Sequence, residues 1–173
     1  MISCAIQVTN PADPETIERL ADTLSALVPG VAAGLIGDAV IVARRATDGL
    51  ATIAEGSGAT LVVPEEDAST WQAAARAARR DWLLCLEAGD VPVDGWIRTL
   101  DRFVGTARPE VALGRLGRIG NGLGARLVAR GERLVGVVGP RPGDLVRRDR
   151  LISGSPFRPR LRPKLVAARL EGS

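Results

Sequence analysis

Short apolar runs alternate with amphipathic stretches along the first half of the chain. The apolar runs at residues 2–8, 39–43, 59–63 and 82–86 predict strands, and the second is apolar throughout, as in a strand buried on both faces. The stretches between them carry apolar residues at helical spacing, which predicts a helix in each interval. The resulting order, β-α-β-α-β-α-β with short connections, is typical of a parallel sheet covered by helices.

Prolines and glycines mark the expected ends of several helices. Asp13 and Pro14 are favoured types for the cap and first position of a helix, and Pro29 with the glycine after it is expected to end that helix. Further elements are expected as a helix from residue 96 to about 104, a strand at residues 111–116 and an amphipathic helix at residues 125–138.

Length and composition fit one globular domain. The chain has 173 residues, of which 46% are apolar and 25% charged, the usual proportions of such a domain. No apolar run approaches the roughly 18 residues that a membrane-spanning helix needs, and the N-terminus has no basic stretch before its first apolar run. We therefore expect a cytoplasmic protein without a transmembrane segment.

The chain contains no histidine and two cysteines. The lack of histidine excludes a Ser-His-Asp triad and His-ligated zinc, so acid–base chemistry must come from carboxylates, lysine, cysteine or the substrate. Cys4 and Cys85 fall within predicted strands, where cysteine is usually a small buried apolar residue and not a nucleophile or disulfide partner.

Positive charge is concentrated near the C-terminus. Residues 141–164 contain eight basic and two acidic residues, so the remainder of the chain is net negative although the whole carries +3. Residues 158–173 are predicted to form a basic tail after a single domain of residues 1–157. Such a tail is either a solvated terminus or a contact surface for an anionic membrane or a partner. A nucleic-acid partner is not expected, because Phe157 is the one aromatic residue that the basic stretch 141–164 offers for stacking.

An acidic turn after the fourth predicted strand is the most informative segment. An alanine-rich helix leads into the apolar run at residues 82–86, and Glu87 and Asp90 follow at once. Ligands of open α/β sheets bind at the carboxyl ends of strands, so these carboxylates are well placed to hold a cation. They are also common in ordinary turns, where Asp90 would cap the next helix, and both interpretations stay open.

The order of motifs resembles that of family 2 glycosyltransferases. The strand and acidic turn precede residues 92–96, PVDGW, which are similar to the family's Pro-x-x-Gly-Trp. Residues 40–48 line up with its nucleotide loop, V-I-V-V-D-G-G-S-T-D. Residues 142–151 resemble the acceptor-side segment G-D-Q-G-L-x-x-R-R, and residues 157–159 match the Phe-Arg-Pro that follows it. The resemblance covers most of the chain and indicates a short, motif-degenerate bacterial member.

This resemblance implies a fold, an activity and a cofactor. The implied fold is α/β of the GT-A (nucleotide-diphospho-sugar transferase) type, a mostly parallel twisted sheet with helices on both faces. The implied activity is transfer of a sugar from a nucleotide-diphospho-sugar to a glycan or lipid acceptor. A divalent cation, Mg²⁺ or Mn²⁺, would neutralise the leaving diphosphate.

The donor-side motifs depart from the family pattern. Ala43 replaces the aspartate that contacts the nucleotide base, and Arg44 and Arg45 follow in place of two glycines. These arginines either bind a diphosphate through bidentate hydrogen bonds or lie in a solvated loop without a ligand. Asp48 matches the last acid of the loop and completes the candidate nucleotide contacts. The metal-binding aspartate aligns with Gly89, which leaves Glu87 and Asp90 as candidate metal ligands.

The acceptor-side motif lacks its catalytic acid. The family carries an acidic segment after Phe-Arg-Pro, whereas residues 160–166 are basic and apolar. Asp144 is then the late candidate for the base that deprotonates the acceptor, against the simpler role of a turn residue.

Three functional hypotheses follow. The first is a small glycosyltransferase, the activity class that the resemblance favours. The second is a non-catalytic relative that keeps the fold and a nucleotide or glycan pocket. The third is an interaction module whose basic tail docks on a partner or, as a peripheral protein, on an anionic membrane. Metal-dependent nucleotide binding would distinguish the first from the others.

Overall fold

The computed structural model describes residues 1–66, 68–119, 132, 135–153, 157 and 160–172. Within them, eight strands form one sheet and five helices lie beside it. The strands are β1 (Ile2–Val8), β2 (Ile36–Ala43), β3 (Thr60–Val62), β4 (Trp82–Glu87), β5 (Val91–Pro92), β6 (Leu113–Arg118), β7 (Asp144–Arg147) and β8 (Lys164–Glu171). The helices are α1 (Pro14–Ala32), α2 (Asp48–Ser57), α3 (Thr70–Ala77), α4 (Trp96–Thr106) and α5 (Arg148–Ile152).

The sheet is mostly parallel, as the sequence predicts. Its strands lie in the order β3-β2-β1-β4-β7-β6-β8-β5. The first four are parallel neighbours, β7 runs against both β4 and β6, β8 is parallel to β6, and β5 is antiparallel to β8. All strands except β5 and β7 therefore point the same way, and their carboxyl ends share one edge of the sheet.

Helices cover both faces of this sheet. Alternate residues of β4 point to opposite sides: Leu84 and Leu86 join the core beneath α1, α2 and α4, while Leu83 and Cys85 join the core beneath α3 and α5. Both faces of the central strands are thus buried, which explains their continuous apolar runs. Cys4 and Cys85 are free and buried as expected, and burial raises the pKa of both thiols.

The first helix extends beyond its expected end. Asp13 caps α1 as predicted, its carboxylate accepting a hydrogen bond from the backbone N–H of Glu15. The prediction that Pro29 ends the helix is wrong, because α1 continues to Ala32. Proline this close to the C-terminus removes one backbone hydrogen bond without stopping the last turn. Gly34, with φ of +72°, lies in the left-handed conformation that turns the chain away.

Much of the expected basic tail belongs to the sheet. Lys164–Glu171 form β8, which lies between β6 and β5, and this differs from the expectation of a separate tail after residue 157. Its buried positions, Val166, Ala168 and Leu170, alternate with exposed ones. Because only every second residue is buried, the sequence of this strand is hard to distinguish from that of a charged, solvated terminus.

Two further expectations concern a helix in the second half of the chain and the lack of a membrane-spanning helix. The helix expected at residues 125–138 falls mostly outside the described residues, and near its expected end Val137 instead forms a bridge with Leu161. None of the helices in the described ranges is long and apolar enough to cross a membrane.

Candidate functional site at the carboxyl edge of the sheet

The strand order brings three separate segments to one edge. Val8 pairs with Ala43, and Gln7 pairs with Glu87. The residues that leave β1, β2 and β4 at their carboxyl ends are therefore neighbours, including Thr9, Arg44 and Glu87. Crevices at such an edge are the usual ligand sites of open α/β sheets.

A cavity of about 160 Å³ opens at this edge. It is lined by residues that follow four parallel strands: Thr9, Thr16 and Arg19 after β1, residues 87–90 at the end of β4, Arg118 at the end of β6 and Gly172 after β8. Hydroxyl, guanidinium and carboxylate groups dominate the lining, so the cavity suits a polar, charged ligand.

The acidic turn is fixed by its own backbone hydrogen bonds. The N–H of Gly89 donates to Thr23 Oγ1 (2.8 Å), and the N–H of Ala88 donates to the carbonyl of Gln7 (3.0 Å). Gly89 has a φ of +102°, a conformation that any residue with a Cβ adopts at a cost. An aspartate at this position, where the resemblance places the family's metal ligand, would strain this turn.

Asp90 is held in a buried ion pair. Its side chain is 3% exposed, and its Oδ1 lies 2.7 Å from Arg118 Nη1. Its Oδ2 accepts hydrogen bonds from Arg118 Nη2 and from the backbone N–H of Glu87, both at 2.9 Å. Both carboxylate oxygens are therefore occupied, and Asp90 is neither a helix cap nor a free carboxylate.

Glu87 is the less constrained of the two acids. It is half-buried, lines the cavity and accepts a hydrogen bond from Thr9 Oγ1 at 3.3 Å. Among the described residues, no cluster of three or more acidic, cysteine or histidine side chains could hold a metal ion. One available carboxylate beside an occupied one is a poor site for a divalent cation in the absence of a ligand, because magnesium is usually held by one or two carboxylates together with water and substrate phosphates.

The candidate nucleotide residues lie on and just after the neighbouring loop between β2 and α2. Arg44 and Arg45 are on the loop, Asp48 is the first residue of α2, and all three are exposed. Thr47 caps α2 through the N–H of Leu50, and its hydroxyl donates to the carbonyl of Pro11 at 3.3 Å. This bond ties the loop to the segment that follows β1, so the two arginines lie beside the edge without lining the cavity.

Asp144 lies deep beside a second cavity. It is fully buried, and its oxygens accept hydrogen bonds from Arg115 Nε (2.6 Å) and Nη2 (2.9 Å) and from the backbone N–H of Arg141 (3.1 Å). Burial raises the pKa of Asp144, although the bonds and charge of Arg115 oppose that rise. Burial lowers the pKa of Arg115, but Asp144 and Glu132 outweigh it and raise that pKa overall.

The second cavity, of about 340 Å³, is lined by basic side chains. Arg115, Arg141 and Arg160 line it together with Glu132, which pairs with both Arg115 and Arg141. Asp144 stands behind Arg115 and orients it. The structure thus separates Asp144 from the Glu87–Asp90 turn and gives its carboxylate an arginine partner.

Sequence reasoning missed the two arginines of β6. Arg115 and Arg118 each pair with an aspartate nearly 30 residues away, at separations of 29 and 28. The rule that pointed to Glu87, a polar residue at the carboxyl end of an apolar strand, applies equally to Arg118. Applying it requires knowing that β6 is parallel to β4, which follows from the antiparallel strand β7 between them.

The fold of this chain is shared with known proteins. No protein-family model and no curated protein matches the chain. Its sheet, helices and topology are those of GT-A glycosyltransferases, which confirms the predicted fold class.

Solved mycobacterial structures are among the individual matches. One is glucosyl-3-phosphoglycerate synthase from Mycobacterium tuberculosis in complex with Mn²⁺, UDP and glucosyl-3-phosphoglycerate, with a TM-score of 0.57 and 21% identity over 86% of this chain and 57% of that one. Another is described as a mycobacterial protein, with a TM-score of 0.58 and 15% identity over 86% of this chain and 53% of that one. The chain spans little more than half the length of these proteins.

Proposed function

We propose that this chain binds a nucleotide-diphospho-sugar at the carboxyl edge of its sheet, as a glycosyltransferase-like protein related to family 2. The observation that carries the proposal is the convergence of Thr9, Arg44 and Glu87 on that edge, beside a polar cavity. The fold is shared with a synthase whose solved complexes contain UDP or UDP-glucose with Mn²⁺, which supports this choice of ligand.

Each candidate residue has a role in this proposal. Arg44 and Arg45 bind the diphosphate through charge-assisted hydrogen bonds, and Asp48 contacts the nucleotide from the start of α2. Glu87 accepts hydrogen bonds from hydroxyls of the ribose or sugar. A divalent cation shared by Glu87 and Asp90 would require Asp90 to release Arg118.

A non-catalytic binding protein is the second candidate. The observation that favours it is the state of the two aspartates: Asp90 and Asp144 each give both oxygens to an arginine and a backbone N–H. Asp144 in that arrangement cannot accept a proton from an acceptor hydroxyl, so sugar transfer would need a base from elsewhere. A bacterial origin and a glycan or lipid acceptor remain part of the first proposal.

Calorimetric titration with UDP, GDP and UDP-glucose, with and without Mn²⁺, tests nucleotide binding. We expect binding by the native chain and an affinity about 10- to 100-fold lower for Arg44→Ala/Arg45→Ala, because each charge-assisted hydrogen bond is worth roughly 1.5–3 kcal/mol. Arg76→Ala/Arg79→Ala is the matched control, since these exposed arginines lie before β4, at the opposite edge of the sheet.

The result has two clear outcomes. Binding that the Arg44/Arg45 variant weakens and the control variant does not would support the proposed site. A folded protein that binds none of the three nucleotides would contradict the proposed function and leave a GT-A fold with another role.

A further inference from the structure

We propose that Arg118 supplies the positive charge at this site that a divalent cation would otherwise supply, so that nucleoside diphosphate binding needs no metal. This inference rests on the proposed function and specifies how the diphosphate is neutralised. The acidic turn carries two carboxylates, as a metal site would, but Arg118 already pairs with one of them, Asp90.

The Asp90–Arg118 pair leaves hydrogen-bond donors free. Asp90 Oδ2 accepts a hydrogen bond from Arg118 Nη2 at 2.9 Å, and its Oδ1 lies 2.7 Å from Nη1. A guanidinium has five N–H groups, so Asp90 leaves at least three of them unused. The Arg118 side chain is 32% exposed and lines the cavity, whereas Asp90 is 3% exposed. The aspartate therefore acts as a buried anchor that presents the guanidinium to the cavity.

Space for the guanidinium depends on Gly172. A Cβ at this position would lie 2.8 Å from Arg118 Nη1 and 3.6 Å from Asp90 Oδ1. The lack of a side chain at Gly172 therefore leaves room for the Asp90–Arg118 ion pair. Thr9 and Thr16 line the same cavity and offer hydroxyl donors to phosphate oxygens.

The other cation of the cavity is already engaged by an acid outside it. Arg19 donates to Glu15 Oε1 at 2.6 Å, one turn earlier on α1. Arg118 is anchored by a carboxylate that is itself buried, so it is held in place before a ligand arrives. Fixed cationic donors of this kind suit phosphate oxygens, which guanidinium groups bind bidentately.

A cation would have to compete with this arrangement. A cation that binds Asp90 would have to displace Arg118, which already neutralises and hydrogen-bonds this buried carboxylate. Position 89, where the resemblance places the metal ligand, carries no side chain. Glu87 alone would remain as a carboxylate ligand, so a bound cation would depend on water and on the phosphates of the nucleotide for its other oxygens.

Calorimetry with UDP as the probe, in EDTA and in Mn²⁺, tests the inference on the native chain. We expect dissociation constants that agree within about twofold in the two buffers, a difference of under half a kcal/mol. Arg118→Gln keeps a hydrogen-bond donor near Asp90 but loses the charge, and we expect its affinity for UDP in EDTA to fall about 10- to 100-fold. Arg76→Ala serves as the single-arginine control, and thermal melting establishes that each variant is folded.

The outcomes separate this inference from the proposed function. UDP binding that appears only with Mn²⁺ would overturn the inference while the proposed function stands. Metal-independent binding that Arg118→Gln leaves unchanged would overturn the role of Arg118. No UDP binding in either buffer would overturn the inference, whereas the proposed function falls only if GDP and UDP-glucose fail to bind as well. The comparison of buffers on the native chain decides the metal question even if Arg118→Gln does not fold.

Discussion

Arg115 and Arg118 lie three residues apart on β6, and each holds an aspartate that the sequence marks as a candidate for catalysis or metal binding. Arg115 is 5% exposed against a fully buried Asp144, and Arg118 is 32% exposed against a nearly buried Asp90. A buried carboxylate is tolerated when it is paired and hydrogen-bonded. At the scale of single residues, both aspartates thus serve first to position an arginine.

Replacing Asp144 tests this structural role. Asp144→Asn leaves Arg115 with Glu132 alone, and we expect the free energy of unfolding, measured in urea, to fall by about 3 kcal/mol, as when one partner of a buried pair is removed. Arg115→Met/Asp144→Leu removes both charges, and we expect it to recover most of that loss. Full stability of Asp144→Asn alone would contradict a structural role for the pair.

At the scale of elements, the contact between α1 and α4 depends on a glycine. Gly30 lies in the last turns of α1, and a Cβ there would meet Trp96 Cη2 at 2.4 Å and Ile36 Cδ1 at 3.0 Å. The Trp96 ring that opens α4 therefore packs directly on the α1 backbone. This contact helps to position the start of α4, which comes directly after the loop that follows the acidic turn.

Two matched glycine substitutions test this packing. Gly30→Ala should destabilise the protein by roughly 1–3 kcal/mol, because the added methyl group overpacks the core against a rigid ring. Gly56→Ala in α2 is the control: nothing lies within 4 Å of its Cβ position, and alanine is favoured over glycine in a helix by about 0.5–1 kcal/mol. Chemical denaturation should therefore give shifts of opposite sign, and equal shifts would argue against the contact.

Element prediction succeeded where local pattern was strong. The range of β1 agrees with the expected residues 2–8, and Asp13 caps α1 as expected. Besides β8, which the sequence places in the basic tail, the pattern missed β5 and β7, which have two and four residues. Runs this short show no periodicity, and their strand character comes from partners distant in sequence.

At the scale of the whole molecule, β8 completes the sheet. It pairs with β6 on one side and β5 on the other, and it buries Val166, Ala168 and Leu170. A deletion of the residues after Phe157 is the direct test of membrane or partner docking by the basic tail. It would, however, also remove a strand from the sheet.

Truncation before β8 should disrupt folding and not merely remove charge. A chain that ends at residue 163 leaves β5 unpaired and β6 paired with β7 alone, and we expect loss of the cooperative thermal transition followed by circular dichroism. Arg160→Gln/Arg162→Gln changes two exposed basic residues outside the strand and should keep the native transition. This double variant also provides the cleaner test of docking on anionic vesicles, and native-like melting of the truncated chain would contradict the role of β8.

The sequence alone determined the alternation of strands and helices through β4, the GT-A fold class and the edge at which polar residues gather. The alternation and the edge follow from short-range periodicity and from the rule that parallel strands end at a common edge, whereas the GT-A type follows from the resemblance in the order of motifs. Only the tertiary structure decided which carboxylates are free, because Asp90 and Asp144 pair with arginines nearly 30 residues away. It also placed β8 inside the sheet. Such pairings depend on the order of strands, and the spacing of residues along the chain does not encode that order.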